Sequence, residues 1–247
     1  MNRFKRTAAL IERDVKEILR DPLSLAFNFA LPEAMMVIFY FAFHTKTSQF
    51  EMKYLCPSII VFAQAFLTLF IGLLISADRD GAYIKRLYLS GARAGEFISG
   101  YALSTYPLAI MQAALIILTG VLIEPELFSA YVFVCVAFSF LTATLFIGFG
   151  LLFGSLVGVK SVGGAASIVI TGQSVLSGMW FPVDGLSEGF KKFLKVLPFK
   201  NATDLLVGTV NGFEFADGVI IPVIIVAAYS LAVFLLAIFA FAKQMRK

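Results

Sequence analysis

The sequence predicts an all-α integral membrane protein: six transmembrane helices, preceded by an amphipathic interfacial helix, with a short outer re-entrant or interfacial helix before the last span. Three observations predict it. Of the 247 residues, 60% are hydrophobic and only 15% charged, whereas a soluble domain carries about a quarter charged residues. The apolar residues gather into runs of roughly 20, the length a helix needs to cross a bilayer core about 30 Å thick. Lys and Arg stand mainly between those runs, where they set orientation.

The first element is the segment "MNRFKRTAALIERDVKEILRDP". Phe4, Ala8, Ile11, Val15 and Ile18 recur at helical spacing, with Arg3, Lys5, Arg6, Arg13, Lys16 and Arg20 around the other face. Such a helix lies in a membrane interface, and Asp21-Pro22 ends it. It has no apolar core of the kind a signal peptide requires.

Six runs follow, at roughly 23–43, 55–77, 98–123, 128–157, 162–181 and 218–242. The fourth is long enough to tilt. The outer loop 182–217 carries an apolar stripe, Leu186, Phe190, Phe193, Leu194 and Leu197, in "LSEGFKKFLKVLP", which predicts a short amphipathic helix capping or gating the outer face. Residues 1–247 read as one domain, with 1–22 the interfacial helix, 23–181 the first five spans, 218–242 the sixth and 243–247 a tail.

With the N-terminus inside, the inner segments hold fourteen of the 20 basic residues, including Arg79, Lys85, Arg86, Arg93 and Lys160. The positive-inside bias therefore predicts both termini in the cytosol. It also places the charged segment "SADRDGAYIKRLYLSGARAGEF" in the cytosol, a handle for another protein or a solvated connector.

Several chemistries are excluded. No Gly-Lys dipeptide occurs, so the chain has no loop to cradle nucleotide phosphates. A single histidine, His44, rules out a His-based triad or an HExxH metal site. No metal site is expected, and Asp78-Arg79-Asp80 reads as capping or ion pairing. The net charge of +4 belongs to residues flanking the spans, so no nucleic acid is expected as a partner. Cys56 and Cys135 fall within or beside apolar runs and read as small buried residues. Asn201-Ala202-Thr203 is a glycosylation sequon in the outer loop. Within the spans, Glu33 beside Pro32 is a costly acid and hence a functional candidate. Gln64 and Thr68 in the second span, and Thr171, Gln173 and Ser174 in the fifth, are sparse polar groups.

The segment "SADRDGAYIKRLYLSGARAGEFISGYAL" resembles the signature of ABC type-2 exporter permeases, on Asp78, Asp80, Gly81, Lys85, Arg86, Leu87, Ser90, Gly91, Arg93 and Glu96. The family often has Glu at both acidic positions and Thr after the Gly, where this chain has Asp78, Asp80 and Ala82. A second stretch, "LSGMWFPVDGLSEGFKKFLKVLPF", is similar to the family's fifth-span end and outer helix, on Leu176, Ser177, Gly178, Phe181, Pro182, Leu197 and Pro198. The segment ending "ILRDP" is similar to the family's elbow helix.

The resemblance implies an export subunit without enzymatic activity of its own, in a bacterial or archaeal cytoplasmic membrane. It implies two partner ATPase subunits that carry ATP and Mg, and a second permease, a second copy of this chain in preference to a homologue. Asp78, Asp80, Gly81, Tyr83, Lys85, Arg86 and Leu87 would then form a coupling helix seated on the ATPase. The second and fifth spans would wall the path, with Glu33, Gln64, Thr68, Thr171, Gln173 and Ser174 as its polar groups and Phe181, Pro182 and Phe190 as the outer gate. So apolar a lining suits a hydrophobic or amphiphilic solute, a drug, lipid or peptide antibiotic. The alternatives are a polysaccharide or glycolipid exporter, a membrane anchor or assembly subunit that transports nothing, and a multispan lipid-modifying enzyme.

Overall fold

The computed structural model describes residues 3–81, 94–181, 183–212 and 216–244. Among these residues it is all helical: α1 (Arg3–Leu19), α2 (Pro22–Phe43), α3 (Met52–Asp80), α4 (Ala94–Ile123), α5 (Ala130–Leu156), α6 (Val159–Leu176), α7 (Glu188–Val196), α8 (Pro198–Val210) and α9 (Ala216–Gln244), with short 3-10 turns between some of them. Five helices, α2, α3, α4, α5 and α9, are long and apolar enough to cross a membrane.

The expected fifth span, 162–181, differs. Its helix, α6, has 18 residues and ends at Leu176, about 27 Å at 1.5 Å per residue. Lys160, Thr171 and Gln173 lower its hydropathy, and it is not among the five. The outer segment also departs from expectation, because a second helix, α8, follows α7. Its Ala202, Leu205 and Leu206 are fully buried in the core.

Helix α3 is central, packing most extensively on α5 and α6 and also against α2, α4 and α8. Its crossing with α5 runs through Gly72, Gly150 and Gly154. A Cβ at Gly150 would stand 1.9 Å from Ile71 Cγ2, and one at Gly154 would stand 2.8 Å from the Gly72 carbonyl oxygen. Gly150 and Gly154 thus form a small-xxx-small pair that brings the two backbones together, as membrane helices pack where no hydrophobic force drives them.

Four prolines lie inside the described helices, each leaving a carbonyl without a helical donor, and at two of them a side chain from elsewhere supplies one. Pro32 frees the Asn28 carbonyl, which accepts from Gln112 Nε2 on α4 at 2.9 Å. Pro57 frees the Lys53 carbonyl, which accepts from Asn211 Nδ2 just past α8 at 3.3 Å. Each of these two proline sites is therefore also a tie between elements distant in sequence.

Helix α1 lies against α4. Its buried positions are Leu10, Asp14 and Ile18, one face at i, i+4, i+8. Leu10 packs on Gly100 of α4, where a Cβ would come within 3.1 Å. Ala8, by contrast, is exposed and Ile11 and Val15 are half-buried, so the face turned to the protein is rotated from the apolar stripe read off the sequence. Among the described side chains of the stripe, Ile18 is the one that is buried.

Candidate functional site

The residues that lead into the charged loop form one polar node. At the end of α3, the Asp78 carboxylate is buried, 6% exposed. Both its oxygens accept from the Arg13 guanidinium of α1, and its Oδ2 also accepts from the Tyr101 hydroxyl of α4 at 2.6 Å. Arg13 in turn pairs with Asp14 at 2.9 Å and with Glu17. Three helices far apart in sequence thus meet at one carboxylate.

Burial disfavours the charge on Arg13, yet its hydrogen bonds and attraction to Asp78, with Glu17 and Asp14 behind, hold it more firmly protonated than usual. Asp14 fares differently. Burial pushes its carboxyl up to about 7, an effect that Arg13 only partly offsets and that Asp78 and Glu17 reinforce. Burial also raises the Glu17 carboxyl. The ligand oxygens of Asp14, Glu17 and Asp78 lie within 4.8 Å of one another, but Arg13 already stands among them as the counter-charge.

The next residue fixes the same point from the other side. Arg79 donates to the carbonyls of Ser155 and Val157, each at 2.7 Å. These are at the C-terminus of α5, where a cation satisfies orphan carbonyls and the negative end of the helix dipole. Asp80 is exposed and its carboxylate lies 3.8 Å from where a Cβ on Gly158 would be. Gly81 closes α3, its N–H bonding back to the Ala77 carbonyl at 2.9 Å. Tyr83, Lys85, Arg86 and Leu87 lie outside the described residues, as does Pro182.

The expected polar path residues do not converge. Gln64 donates to the Ser139 carbonyl at 2.9 Å and accepts from Thr142 at 2.6 Å, while Thr68 donates to the Phe146 carbonyl at 3.0 Å. Both are fully buried and tie α3 to α5. Gln173 donates to Thr203 of α8 at 3.0 Å, and Ser174 accepts from Trp180 at 2.8 Å. Thr171 is exposed on α6. Glu33 sits between α2 and α4, both carboxylate oxygens buried without a completed hydrogen bond, with the Thr119 hydroxyl alongside.

Beyond the end of α6, Phe181 is 60% exposed and Phe190 39%. The aromatic cluster there is instead Trp180 with Phe39, Phe50 and Phe62, the Phe39 and Trp180 rings centred 4.5 Å apart. Gln49 ties this cluster down by donating to the Gly178 carbonyl at 3.1 Å, in a turn that needs Gly178 because its φ is +78°. The single Trp and a Gly two residues beyond the end of α6 were the available sequence signals. The Asn201 sequon is not free, since Asn201 is 4% exposed and its amide donates to the carbonyls of Lys195 and Leu197.

Among the described residues the chain is a helical bundle in which five helices are long and apolar enough to cross a membrane, and the end of α3 is held in an ion-paired node. Residues 5–211 match the ABC-2 type transporter family, and the chain belongs to that family as an integral membrane permease. Membership implies partnership with an ATPase subunit. No curated protein sequence matches the chain.

Proposed function

We propose that the chain is the permease of an ATP-driven exporter of a hydrophobic or amphiphilic solute, working as a dimer of permeases on two ATPase subunits. The observation that carries this reading is the double anchoring of the loop root, with Asp78 held by Arg13 and Tyr101 and Arg79 holding the end of α5. Closing an ATPase dimer displaces whatever is seated on it. A loop whose root is tied to α1, α4 and α5 hands that displacement to several helices at once, which favours a two-state change of access.

In this reading α1 is the cytosolic elbow helix, α6 completes a set of six spans as a short one, and both termini are cytosolic. The segment Tyr83 to Leu89 is the coupling helix. Asp78 and Arg79 fix its position from within, and Asp80, Lys85 and Arg86 are the groups offered to the ATPase. Helix α7, with Phe190, Phe193 and Val196 exposed on one side and Lys192 and Lys195 nearby, rests in the outer leaflet. The apolar character of the helices supports an amphiphilic solute over a polysaccharide.

The test is reconstitution with its partner ATPase. Substituting Gly81, or reversing Asp80 and Arg86, is expected to leave insertion and ATPase binding intact while solute-stimulated hydrolysis no longer drives transport. Wild-type coupling in all three variants would remove the loop from the mechanism.

A further inference from the structure

Among the described residues, four side chains keep a buried polar atom without a hydrogen bond: Gln112, Gln173 and Ser230 through one oxygen each, and Glu33 through both carboxylate oxygens. The first three are neutral, so each lacks a single bond. A carboxylate in the same position lacks a counter-charge as well. Elsewhere the chain supplies one, since Asp14 and Asp78 pair with Arg13 and Asp204 pairs with Lys200. Glu33 has no such cation among the described residues.

Its depth makes the exception costly. Glu33 lies about 15 Å from either end of α2 at 1.5 Å per residue, and α2 is one of the helices able to cross a membrane. The polar group beside it is the Thr119 hydroxyl of α4. On α3 the buried Cys56 lies against Gly120, the residue after Thr119, and its thiol donates to the Ile116 carbonyl. Tyr40, two turns further along α2, is engaged by Glu124 just past α4. An ionised carboxylate here loses its hydration and gains no ion pair in return. A neutral carboxylic acid carries no charge to compensate and needs an acceptor for its one O–H, which the Thr119 hydroxyl oxygen provides.

We propose that Glu33 is a proton-binding site: its carboxyl stands in α2 as the neutral acid, hydrogen-bonded to Thr119, and is the point at which a lipid-soluble carbodiimide modifies the chain. As a whole Glu33 is only half-buried, within reach of a reagent dissolved in the bilayer. In that reaction the acid's proton passes to one carbodiimide nitrogen as its oxygen bonds the central carbon. The acyl group then moves from that oxygen to the other nitrogen, leaving an N-acylurea with nothing released.

The inference goes beyond transport and concerns the chain alone, so its failure leaves the coupling account standing. The full chain in lipid nanodiscs is examined at pH 8, where the Asp14 carboxyl, at about 7, has given up its proton. The infrared difference between wild type and E33Q is expected to show an undissociated-acid carbonyl band, which T119V shifts without removing. Dicyclohexylcarbodiimide is expected to add once, on the peptide that holds Glu33, and this addition is lost in E33Q. A water-soluble cationic carbodiimide is expected to reach exposed acids such as Glu12 and to leave Glu33 unmodified. E33Q keeps the shape and the neutrality of the acid and should keep the wild-type Tm. A carboxylate band in place of the acid band, no addition of dicyclohexylcarbodiimide at Glu33, modification of Glu33 by the water-soluble reagent, or an E33Q chain that no longer folds would each overturn the proposal.

Discussion

Arg13 and Asp78, 65 residues apart in sequence, form a two-armed ion pair that joins the first helix to the last turn of α3. Tyr101 completes it from α4, so the acid that begins the charged signature is saturated by its own chain. Because Asp78 is buried and Arg13 half-buried, removing either partner strands a charge. R13A is expected to cost about 3 kcal/mol, the lower edge of the range for broken buried pairs, and Y101F about 1 kcal/mol, as for one lost hydrogen bond. Thermal unfolding in detergent checks both, with Y101F the milder variant.

The node also predicts a pH dependence. The Asp14 carboxyl lies at about 7 in the folded chain against 3.8 when exposed. The folded state therefore holds the extra proton between those values, and its stabilisation is full below the lower one and lost as pH rises through about 7. The unfolding midpoint should fall on going from pH 5.5 to pH 8 in the wild type. In D14N, which keeps the shape without the charge, that component should vanish, leaving a flatter profile.

Close helix crossing makes a third prediction. G150L drives a side chain into Ile71 and the Thr68 carbonyl and is expected to destabilise by about 1–3 kcal/mol or more, the cost of overpacking. G163A and G164A meet nothing within 4 Å, so they should be neutral or stabilising through helix propensity alone. Equal loss of folded yield in all three would show that α6 packs on something these residues do not reveal.

The single tryptophan reports the aromatic cluster around it. Trp180 is packed on Phe39 and Phe62 and donates to Ser174. F39A should red-shift its emission and raise its quenching by acrylamide, whereas F181A, at an exposed ring, should change neither appreciably.

Much of this was legible from spacing alone. Five long apolar runs needed only length and hydropathy, and α2, α4 and α9 begin and end within a few residues of where the runs do. Helix α8 was not, because "PFKNATDLLVGTV" is too short for a span and its buried face, Ala202, Leu205 and Leu206, is interrupted by Thr203 and Asp204. The polar residues of the spans were found but not their direction. Gln64 and Thr68 mark a helix face, and only packing shows that α5 lies opposite. The Arg13–Asp78 pair was invisible for the same reason, since nothing local to either residue tells that α1 folds back on the end of α3.

The most direct test is the ratio of solute moved to ATP hydrolysed in the reconstituted complex, for R13D, D78R and the R13D/D78R exchange. If the loop root must be tied to α1 for displacement to reach the spans, each single variant will hydrolyse ATP with transport reduced about tenfold or more, a loss of about 1.4 kcal/mol of coupling, and the exchange will recover most of it. Full coupling in folded single variants, or no recovery in a folded exchange variant, would contradict the account.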